Sequence, residues 1–463
     1  MPPKKLYIET HGCQMNVDDS LRMGRLLAPR GYELTPRSIE ADLILINTCS
    51  VREKASHKAH SAVGRFYALK ESKPDLLLGL TGCQAQAEGK ALLKRFQYLD
   101  FVLGPDQVSR LPEIVRDLEE GGPRSVDGTK RIKPEEFDFV SLTLGEGETL
   151  ISAFVTIMKG CDNFCSFCIV PFVRGREVSR PSDEIIAEIE ALSAHGVKEV
   201  TLLGQNVNSY GSKRTGEISF SQLLHRIANE TSIRRLRFTT SHPKDVKEDL
   251  KIAFRDIPIL AKHLHLPVQS GSNRILERMY RTYRREEYIE IVRSLREACP
   301  EIAITTDLIV GFPGEADADF EDTLSLMEDL RFDAAFSFQY SPRPHTTAGR
   351  YFADDVPSQV KENRLRFLQE RQSAISFEEN RKCVGRSYAV LIEGPSKLNR
   401  TVQGRTPQNR IVHLEGLDDS ALGEMVPVKI VRATPMALVG NIDPVGASAN
   451  KSWRTPLPSA CLG

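Results

Sequence analysis

Aliphatic runs and amphipathic stretches alternate in the first third of the chain. Three short, mostly apolar runs each lead into a cysteine, at Cys13, Cys49 and Cys83. Apolar residues recur at helical spacing between these runs, around residues 20–28 and 51–69. Strands that alternate with helices are typical of an open parallel sheet, in which ligands gather at the carboxyl ends of the strands. The pattern therefore predicts a parallel α/β domain with three cysteines at one edge.

Strand and helix signals alternate again in the middle of the chain. An amphipathic helix is predicted over residues 183–195, and six strands are predicted at residues 154–158, 200–203, 236–239, 263–267, 302–310 and 335–340. Six strands with intervening helices predict a barrel or partial barrel of β/α units. Functional groups on such a fold lie on loops at the carboxyl ends of the strands.

The pattern changes once more after a charged helix predicted over residues 358–382. Short strands follow, separated by glycine, asparagine and proline turns: SYAVLIEG, NRTVQGRT, NRIVHLEG and MVPVKIVRA. This spacing predicts a small closed β-barrel and, for the whole chain, the α/β class. The predicted domains cover residues 1–147, 148–377 and 378–441, with a turn-rich linker at 121–133 and a mobile tail at 442–463.

Composition narrows the classes of protein that fit this organisation. The chain has 463 residues with 62 basic and 62 acidic side chains, which argues against a protein that coats nucleic acid along its whole surface. Residues 381–441 nevertheless hold nine basic and five acidic residues, a local surplus of four. The start, MPPKKLYIET, lacks the apolar stretch of a secretory signal, and no run approaches the roughly 18 apolar residues of a membrane span.

Six of the nine cysteines stand in two patterned sets that require reduced thiolates, which predicts a reducing cytoplasm. Cys161, Cys165 and Cys168 form the spacing C-x-x-x-C-x-x-C without a fourth cysteine or histidine nearby. A structural zinc site takes four protein ligands, and an electron-transfer cubane takes four thiolates. Three thiolates on a short loop therefore predict an iron–sulfur cluster with one iron open for chemistry.

Cys13, Cys49 and Cys83 form the other set, with 35 and 33 residues between consecutive members. At a common sheet edge, three thiolates are enough to hold a second cluster with an open iron. Buried free cysteine that packs as a small hydrophobic residue is the alternative. Gly12 and Gly82 each precede a cysteine, and they fit a backbone that turns tightly against a bulky inorganic core.

The stretch KGCDNFCSFC, which ends at Cys168, resembles the cluster loop of the radical S-adenosylmethionine (SAM) enzymes. Phe167 stands where that family has an aromatic residue before the third cysteine. The resemblance implies an incompletely closed barrel of six units and a [4Fe-4S] cluster whose open iron binds the amino and carboxylate groups of SAM. It also implies that an injected electron splits the sulfonium to give a 5′-deoxyadenosyl radical.

Polar residues and glycines at the predicted strand ends are candidates for SAM binding. Together with Phe167 they are Gln205, Asn206, Gln269, Ser270, Asp307 and Gly311. The segment 305–315, TTDLIVGFPGE, is the most specific, because a buried strand that ends in two glycines and a proline exposes backbone to a flat ligand such as adenine. An ordinary turn former is the alternative for each residue. His263 and His265 share a strand face, where packing is favoured over a ligand role.

Arg174 and Arg176 follow the cluster loop and are candidates for substrate binding. Guanidinium forks suit phosphates and the edges of nucleobases. A solvated loop is the alternative for these charges, and the family resemblance favours a role towards nucleic acid or SAM.

The segments ETHGCQMNVDDS, NTCSVREKA and TGCQAQAEG resemble the three cysteine segments of the methylthiotransferases, in their MiaB-type branch that modifies tRNA. Residues 381–441 resemble the TRAM module, a small RNA-binding barrel, with a plain structural barrel as the alternative. The resemblance implies transfer of a methylthio group to C2 of N6-isopentenyladenosine at position 37 of tRNA. The C2–H bond is not acidic, so general base catalysis cannot open it, whereas a radical can.

The implied mechanism uses two [4Fe-4S] clusters and two molecules of SAM. One SAM methylates sulfur bound at the Cys13, Cys49 and Cys83 cluster, and the other generates the radical at the Cys161, Cys165 and Cys168 cluster. The implied partners are the anticodon stem-loop of tRNA, an electron donor such as flavodoxin or ferredoxin, and a sulfur donor. We expect a monomer without membrane contact.

The sequence leaves two kinds of alternative function open. The same machinery serves methylthiolation of threonylcarbamoyladenosine in tRNA or of a ribosomal-protein aspartate, although the cysteine segments favour the isopentenyl branch. The other alternative is a non-catalytic iron–sulfur protein that binds RNA. Two three-cysteine sets disfavour it, because a structural cluster gains nothing from an open iron.

Overall fold

A computed structural model describes residues 3–50, 53–124, 126–130, 133, 137, 139–145, 147–396, 402–415, 417 and 419–443. The tail predicted at 442–463 lies outside this range except for residues 442 and 443. Within the described part of the chain, no helix is long and apolar enough to cross a membrane.

The first domain is a six-stranded parallel sheet in the order β2-β1-β3-β4-β5-β6. Its strands are β1 (Lys4–His11), β2 (Tyr32–Leu34), β3 (Leu43–Thr48), β4 (Leu77–Gly82), β5 (Phe101–Leu103) and β6 (Val126–Gly128). Its helices are α1 (Gln14–Leu27), α2 (Glu53–Ser72), α3 (Cys83–Glu88), α4 (Lys90–Arg95) and α5 (Leu111–Glu119). Both β3 and β4 are wholly buried, as expected for aliphatic strands covered on both faces.

The segment 121–133 is not simply a linker, so that prediction is wrong. Three of its residues form β6, which pairs in parallel with β5 at the edge of the sheet. The segment is rich in turn-forming residues, and its strand of three residues is too short to show the alternation of apolar and polar side chains that predicts a strand. The prediction of a parallel sheet is confirmed.

The register of the central strands brings three chain positions to the same level. His11 at the end of β1 is opposite Thr48 on β3, and Thr48 is opposite Gly82 on β4. The amide of Cys49 donates to the carbonyl of His11 at 2.9 Å. Each of the three cysteines of this domain therefore leaves the sheet at one edge.

The central domain contains six parallel strands in two sheets, β11-β10-β7 and β12-β13-β14. They are β7 (Ser152–Thr156), β10 (Glu199–Leu203), β11 (Arg235–Thr239), β12 (His263–His265), β13 (Ala303–Val310) and β14 (Ala334–Gln339). Two further strands, β8 (Met158–Lys159) and β9 (Val178–Ser179), form a small antiparallel sheet. A parallel bridge between Leu236 and Leu260 joins the two sheets. The helices are α6 (Val170–Val173), α7 (Ser182–Ala194), α8 (Phe220–Glu230), α9 (Glu248–Asp256), α10 (Asn273–Arg278), α11 (Arg285–Ala298), α12 (Asp317–Leu330) and α13 (Thr347–Tyr351).

The two sides of these central strands differ in polarity. Helices cover the outer side, where Val200, Leu202, Leu264 and Ile304 are fully buried. Side chains alternate along a strand, so the intervening residues line the other side, which we call the inner face. The inner face includes Glu199, Arg235, Arg237, His263, His265, Thr305, Asp307 and Phe336. A β/α barrel whose interior is aliphatic is a packed core, whereas this polar interior suits a polar ligand.

The third domain follows the long helix α14 (Ser358–Arg381) and is a closed barrel in the strand order β15-β16-β17-β19-β18. Its neighbouring strands are antiparallel except for β17 and β19, which are parallel. Its strands are β15 (Ser387–Pro395), β16 (Val402–Arg405), β17 (Ile411–Leu414), β18 (Met425–Ala433) and β19 (Leu438–Ile442). The predicted fold class of three α/β and β domains is therefore confirmed.

Two buried arginines of the inner face hold the third domain in place. Arg235 donates to the carbonyls of Ala389 at 3.0 Å and of Arg405 at 2.8 Å. Arg237 donates to the carbonyl of Thr406 at 2.9 Å and to the carboxylate of Glu199 at 2.9 Å. The small barrel is thus docked against the amino-terminal ends of the central strands and is not an independent appendage.

Replacing Arg237 by alanine is expected to destabilise the chain by about 3 kcal/mol, because Glu199 loses a partner in a buried ion pair. Urea unfolding, with limited proteolysis to detect release of the third domain, measures this effect. Arg226→Ala is the control, because Arg226 pairs with Glu230 near the surface and its loss is expected to cost less than about 1 kcal/mol. Equal effects of the two substitutions would contradict the docking role of Arg237.

Candidate functional site

The first cysteine triad consists of Cys13, Cys49 and Cys83 at the carboxyl edge of the first sheet. Cys13 is the N-cap of α1, and Cys83 is the first residue of α3. Helix amino termini carry a partial positive charge, which favours thiolates. The glycines before these cysteines leave no room for a side chain. A Cβ atom on Gly12 would lie 2.7 Å from that of Cys49, and one on Gly82 would lie 2.7 Å from the carbonyl oxygen of Thr48.

The thiols of the first triad influence each other electrostatically. A hydrogen bond with Cys49 lowers the pKa of Cys13 against the effect of burial, and the positive charge of Arg174 lowers it further. Burial raises the pKa of Cys83, and the same arginine counteracts this. The three sulfurs therefore share one partly buried environment with a nearby cation.

A buried amide network beside the first triad was not predicted from the sequence. The side chain of Asn16 donates to that of Asn47 at 3.1 Å, and Asn47 donates to the carbonyl of Asn16 and to the hydroxyl of Ser20, both at 2.8 Å. The Cys13 thiol lies 3.4 Å from the side-chain oxygen of Asn16. The network fixes the start of α1 against the end of β3. A polar Asn47 at the end of the aliphatic run LILIN was the available signal.

The second cysteine triad consists of Cys161, Cys165 and Cys168, in the loop after β8. The amide of Cys161 donates to the carbonyl of Gly175 at 3.1 Å, and the amide of Cys168 donates to that of Cys165 at 2.9 Å. Burial raises the pKa of the Cys161 thiol to about 11, and the Cys165 thiol adds to this rise. Bound cations would counteract that cost, because a metal deprotonates a coordinating thiol outright.

The buried guanidinium of Arg281 holds the middle sulfur of the second triad. Its Nη1 donates to Sγ of Cys165 at 3.4 Å and its Nε donates to the hydroxyl of Tyr283 at 2.8 Å. Arg281 lies 116 residues after Cys165, so no sequence spacing indicated this contact. The role of Arg281 was not predicted from the sequence.

Neither triad is arranged for a single metal ion. Among the described residues, no three His, Cys, Asp or Glu side chains are close enough to bind one.

The two triads meet through α6, which begins two residues after Cys168. Cys83 packs with Ile169 and Val173 in one small apolar cluster. Arg174, at the end of α6, donates through Nε to Sγ of Cys83 at 3.3 Å. The loop that carries the second triad therefore continues directly to the first.

Buried polar contacts fix the first domain on the central domain. Thr156 on β7 donates to Asp18 on α1 at 2.7 Å, and Asp18 accepts from Arg22 at 2.9 Å. Lys159 beside the second triad pairs with Asp106 of the first domain at 2.8 Å. In both contacts between the domains, Thr156 with Asp18 and Lys159 with Asp106, the two residues are more than 50 positions apart in sequence.

Among the predicted SAM residues, two lie directly beside the second triad. Phe167 is within its loop and packs edge-on against Phe312, with ring centroids 6.4 Å apart. Gln205 accepts a hydrogen bond from the amide of Gly160, next to Cys161. These two residues support the shape of the loop.

The next two predicted SAM residues have different surroundings. Asn206 donates to Asp245 at 2.8 Å, and its own buried side-chain oxygen has no hydrogen-bond partner among the described residues. Gln269 has a φ of 77°, and its backbone pairs with that of β13. Asn206 therefore retains an acceptor for a ligand.

The last three predicted SAM residues lie on or near β13. Ser270 is fully buried and lies 3.4 Å from the hydroxyl of Thr323. Gly311 donates to Glu315 at 2.8 Å. Asp307 lies on the inner face, where its carboxylate is 3.6 Å from Nε2 of His265. Of these three, Asp307 offers the most accessible side chain.

The inner face presents a short chain of polar groups beside an aromatic ring. His263 and His265 both lie 3.0 Å from the hydroxyl of Thr305. Phe336 is 53% exposed on the same face, and its ring centroid is 5.8 Å from that of His265. An exposed ring in a polar lumen is a surface on which a flat nucleobase can stack.

The two predicted substrate arginines lie in different environments. Arg174 is buried, and its Nη2 donates to Asp19 at 2.7 Å. Arg176 is exposed, lies over the ring of Phe164 at 5.3 Å and pairs with Asp162. Only Arg176 presents its guanidinium to solvent.

Each of the three domains matches a model of a known protein family. A family model described as "Uncharacterized protein family UPF0004" matches residues 5–104, "Radical SAM superfamily" matches 155–327 and "TRAM domain" matches 381–442. The solved structure of TsrM, a radical S-adenosylmethionine methyltransferase from Kitasatospora setae, has a TM-score of 0.56 at 15% identity and covers 75% of this chain and 77% of its own. At that identity the likeness concerns the fold alone. The partial barrel and its three-cysteine loop thus define a radical SAM protein.

Curated relatives then specify the family. The tRNA-2-methylthio-N(6)-dimethylallyladenosine synthase of Geobacter metallireducens is 51% identical over 443 residues, which are 95% of this chain and 98% of that protein. The protein of the same name from Myxococcus xanthus is 49% identical over 94% of each chain. The chain belongs to the family of tRNA-2-methylthio-N(6)-dimethylallyladenosine synthases. The resemblance seen in the cysteine segments is confirmed.

Proposed function

We propose that this protein adds a methylthio group to C2 of N6-isopentenyladenosine at position 37 of tRNA. The observation that carries the proposal is the meeting of two three-cysteine sets across α6, in a chain 51% identical to a relative named for this product. Methylthiolation needs a place for sulfur and a place for radical generation within reach of one substrate. The two triads supply two such places, which α6 and Arg174 connect.

The donor sets fit two [4Fe-4S] clusters. Each triad supplies three thiols and has one buried arginine that donates to a sulfur, Arg174 for the first and Arg281 for the second. When bound, the clusters would supply an electron to the sulfonium of SAM at one triad and a site for the transferred sulfur at the other. Three protein ligands would leave one iron of each cluster without a cysteine.

The chain's own residues orient and shield these groups. Arg281 positions the Cys165 sulfur, and Gln205 fixes the backbone of Gly160 before Cys161. We assign SAM contacts to residues around the second triad and on β13: Phe167, Gln205, Asn206, Gln269, Ser270, Asp307 and Gly311. The free acceptor of Asn206 and the accessible carboxylate of Asp307 support the assignment most directly.

The target base is proposed to enter the inner face beside Phe336. Its exposed ring offers a stacking surface, and His265 and Asp307 offer hydrogen-bonding groups at the same level. The docked third domain occupies the opposite, amino-terminal end of the strands. The base therefore approaches from the carboxyl ends, where both triads lie.

The third domain is proposed to bind the anticodon stem-loop of tRNA. Arg386, Lys429 and Arg432 are exposed on it, and Arg176 is exposed on the central domain. We place the protein in the cytoplasm as a monomer that receives electrons from a donor such as flavodoxin or ferredoxin. A separate donor supplies sulfur.

Replacing Lys429 and Arg432 together by glutamine is expected to weaken tRNA binding and to lower the salt dependence of its affinity. Each lost phosphate contact reduces the slope of log K against log salt by about 0.9. Fluorescence titration at several salt concentrations measures the slope. Lys90→Gln with Lys94→Gln, an equal loss of exposed charge on the first domain, is the control. An unchanged slope in the first variant would remove β18 from the RNA-binding surface.

Nucleoside analysis of bulk tRNA tests the proposed function as a whole. A bacterial strain that lacks its own enzyme should accumulate N6-isopentenyladenosine and should regain its 2-methylthio derivative when it expresses this chain. A methylthio group on threonylcarbamoyladenosine instead would assign the chain to the other tRNA branch. No change in any methylthio nucleoside, with the protein present in soluble form, would contradict the proposal.

A further inference from the structure

Arg174 joins three parts of the molecule with one buried guanidinium. It stands at the end of α6, donates through Nε to Sγ of Cys83 at 3.3 Å and through Nη2 to Asp19 on α1 at 2.7 Å. Its side chain is only 6% exposed and that of Asp19 is 15% exposed. Arg174 is therefore placed to act on the first triad and not on the phosphates of an RNA.

Asp19 is the counter-charge of this arginine. Asp19 and Arg174 form an ion pair beside the sulfur of Cys83. Both charges interact electrostatically with that thiol. Arg174 and Asp19 act on the sulfur with opposite sign, because the cation favours the anionic form of the site and the carboxylate opposes it. Their balance sets the local field at the first triad.

We propose that the Arg174–Asp19 pair tunes the reduction potential of the iron–sulfur group at the first triad. The inference rests on the proposed function, which assigns a cluster to Cys13, Cys49 and Cys83. Hydrogen bonds to the sulfurs and net charge nearby set the potentials of such clusters. Arg174 stabilises the more negative, reduced state, and Asp19 destabilises it. Arg174 is thus a positioning residue, and this assignment replaces its earlier interpretation as a substrate contact.

The location of Arg174 also gives this tuning a use. The first triad must carry sulfur and must not compete for the electron that the second triad needs, and Asp19 limits that competition because its negative charge destabilises the reduced state. Arg174 is six residues after Cys168, so the segment that holds the second triad also supplies the charge that acts on the first. A shift of α6 would change the field at the first triad.

The test uses the full chain with Cys161, Cys165 and Cys168 replaced by alanine, so that only the first triad binds iron. In this background, Arg174→Gln and Asp19→Asn are compared by redox titration followed by electron paramagnetic resonance. Arg174→Gln is expected to make the potential more negative, and Asp19→Asn is expected to make it less negative. Arg176→Gln is the matched control, because its guanidinium is exposed and pairs with Asp162. Its potential is expected to stay near that of the background chain.

The opposite signs separate tuning from a merely structural role. Unchanged potentials, or shifts of both variants in the same direction, overturn the proposal. If Arg174→Gln loses iron, Asp19→Asn decides, because it keeps the hydrogen bond to Cys83 and must still shift the potential to a less negative value. A background chain that binds no iron at all overturns the assignment of a cluster to the first triad, and the tuning with it.

Discussion

Cys165→Ala is expected to abolish the reductive formation of 5′-deoxyadenosine from SAM. Cys165 is the middle cysteine of the second triad, and its sulfur accepts from the buried Arg281. Two thiols without their partner no longer hold a cluster with one open iron, so the electron has no route to the sulfonium. The loss should be complete within detection, because the variant lacks one of the three proposed cysteine ligands of that cluster.

Cys49→Ala is expected to behave differently. It removes a ligand of the first triad, in another domain, while the second triad keeps its three cysteines. This variant should still form 5′-deoxyadenosine with dithionite but should form no methylthio product. Because α6 joins the two triads, some loss of rate is expected from coupling between neighbouring sites.

Paired chromatography of 5′-deoxyadenosine and of the modified nucleoside measures both variants after reconstitution. Cys299→Ala is the matched control, because Cys299 is buried in the core of the central domain away from both triads. It should retain both products. If Cys49→Ala lost cleavage of SAM while Cys165→Ala kept it, the roles of the triads would be reversed. If neither variant lost either product, the radical mechanism would be wrong.

Replacing Cys13, Cys49 and Cys83 together by alanine is expected to halve the iron content of the anaerobically purified protein. Two cubane clusters hold about eight irons per chain, and one holds about four. The physical reason is that, in the proposed function, each triad supplies all the cysteine ligands of its own cluster. Iron and acid-labile sulfide analysis measures the change.

Two further variants make the iron measurement specific. Replacement of Cys161, Cys165 and Cys168 by alanine should leave about four irons in the other site. Replacement of the buried Cys299 and Cys383, which lie outside both triads, should leave the iron content at about eight per chain. Full iron content in the triple variant at Cys13, Cys49 and Cys83 would end the assignment of a second cluster.

Much of the fold follows from local patterning of the chain. The runs before Cys13, Cys49 and Cys83 are aliphatic enough to form buried parallel strands, and parallel strands end at a common edge. The second triad lies within eight residues, so its cysteines stay close in any compact loop. The alternation of strands and helices likewise predicted the partial barrel, and the turn-rich strands predicted the small barrel.

Short strands and polar contacts between distant segments could not be predicted in this way. The strand β6 has three residues and no period of its own. Arg174 contacts Cys83 across 91 residues and Asp19 across 155, and Arg237 contacts the third domain across 169. In the sequence, Arg174 resembles a solvated or RNA-facing charge, whereas in the structure it is buried and pairs with Asp19 and Cys83.

The sequence by itself determined which residues form the two thiol sets and which strands present them, because strand pairing and loop spacing act over short distances. Only the tertiary structure decided that the two sets meet across α6, with Arg174 between them, and that the third domain closes one end of the barrel. The physical reason is that a buried charge needs a partner, and the partner is chosen by the packing of whole domains and not by neighbours along the chain.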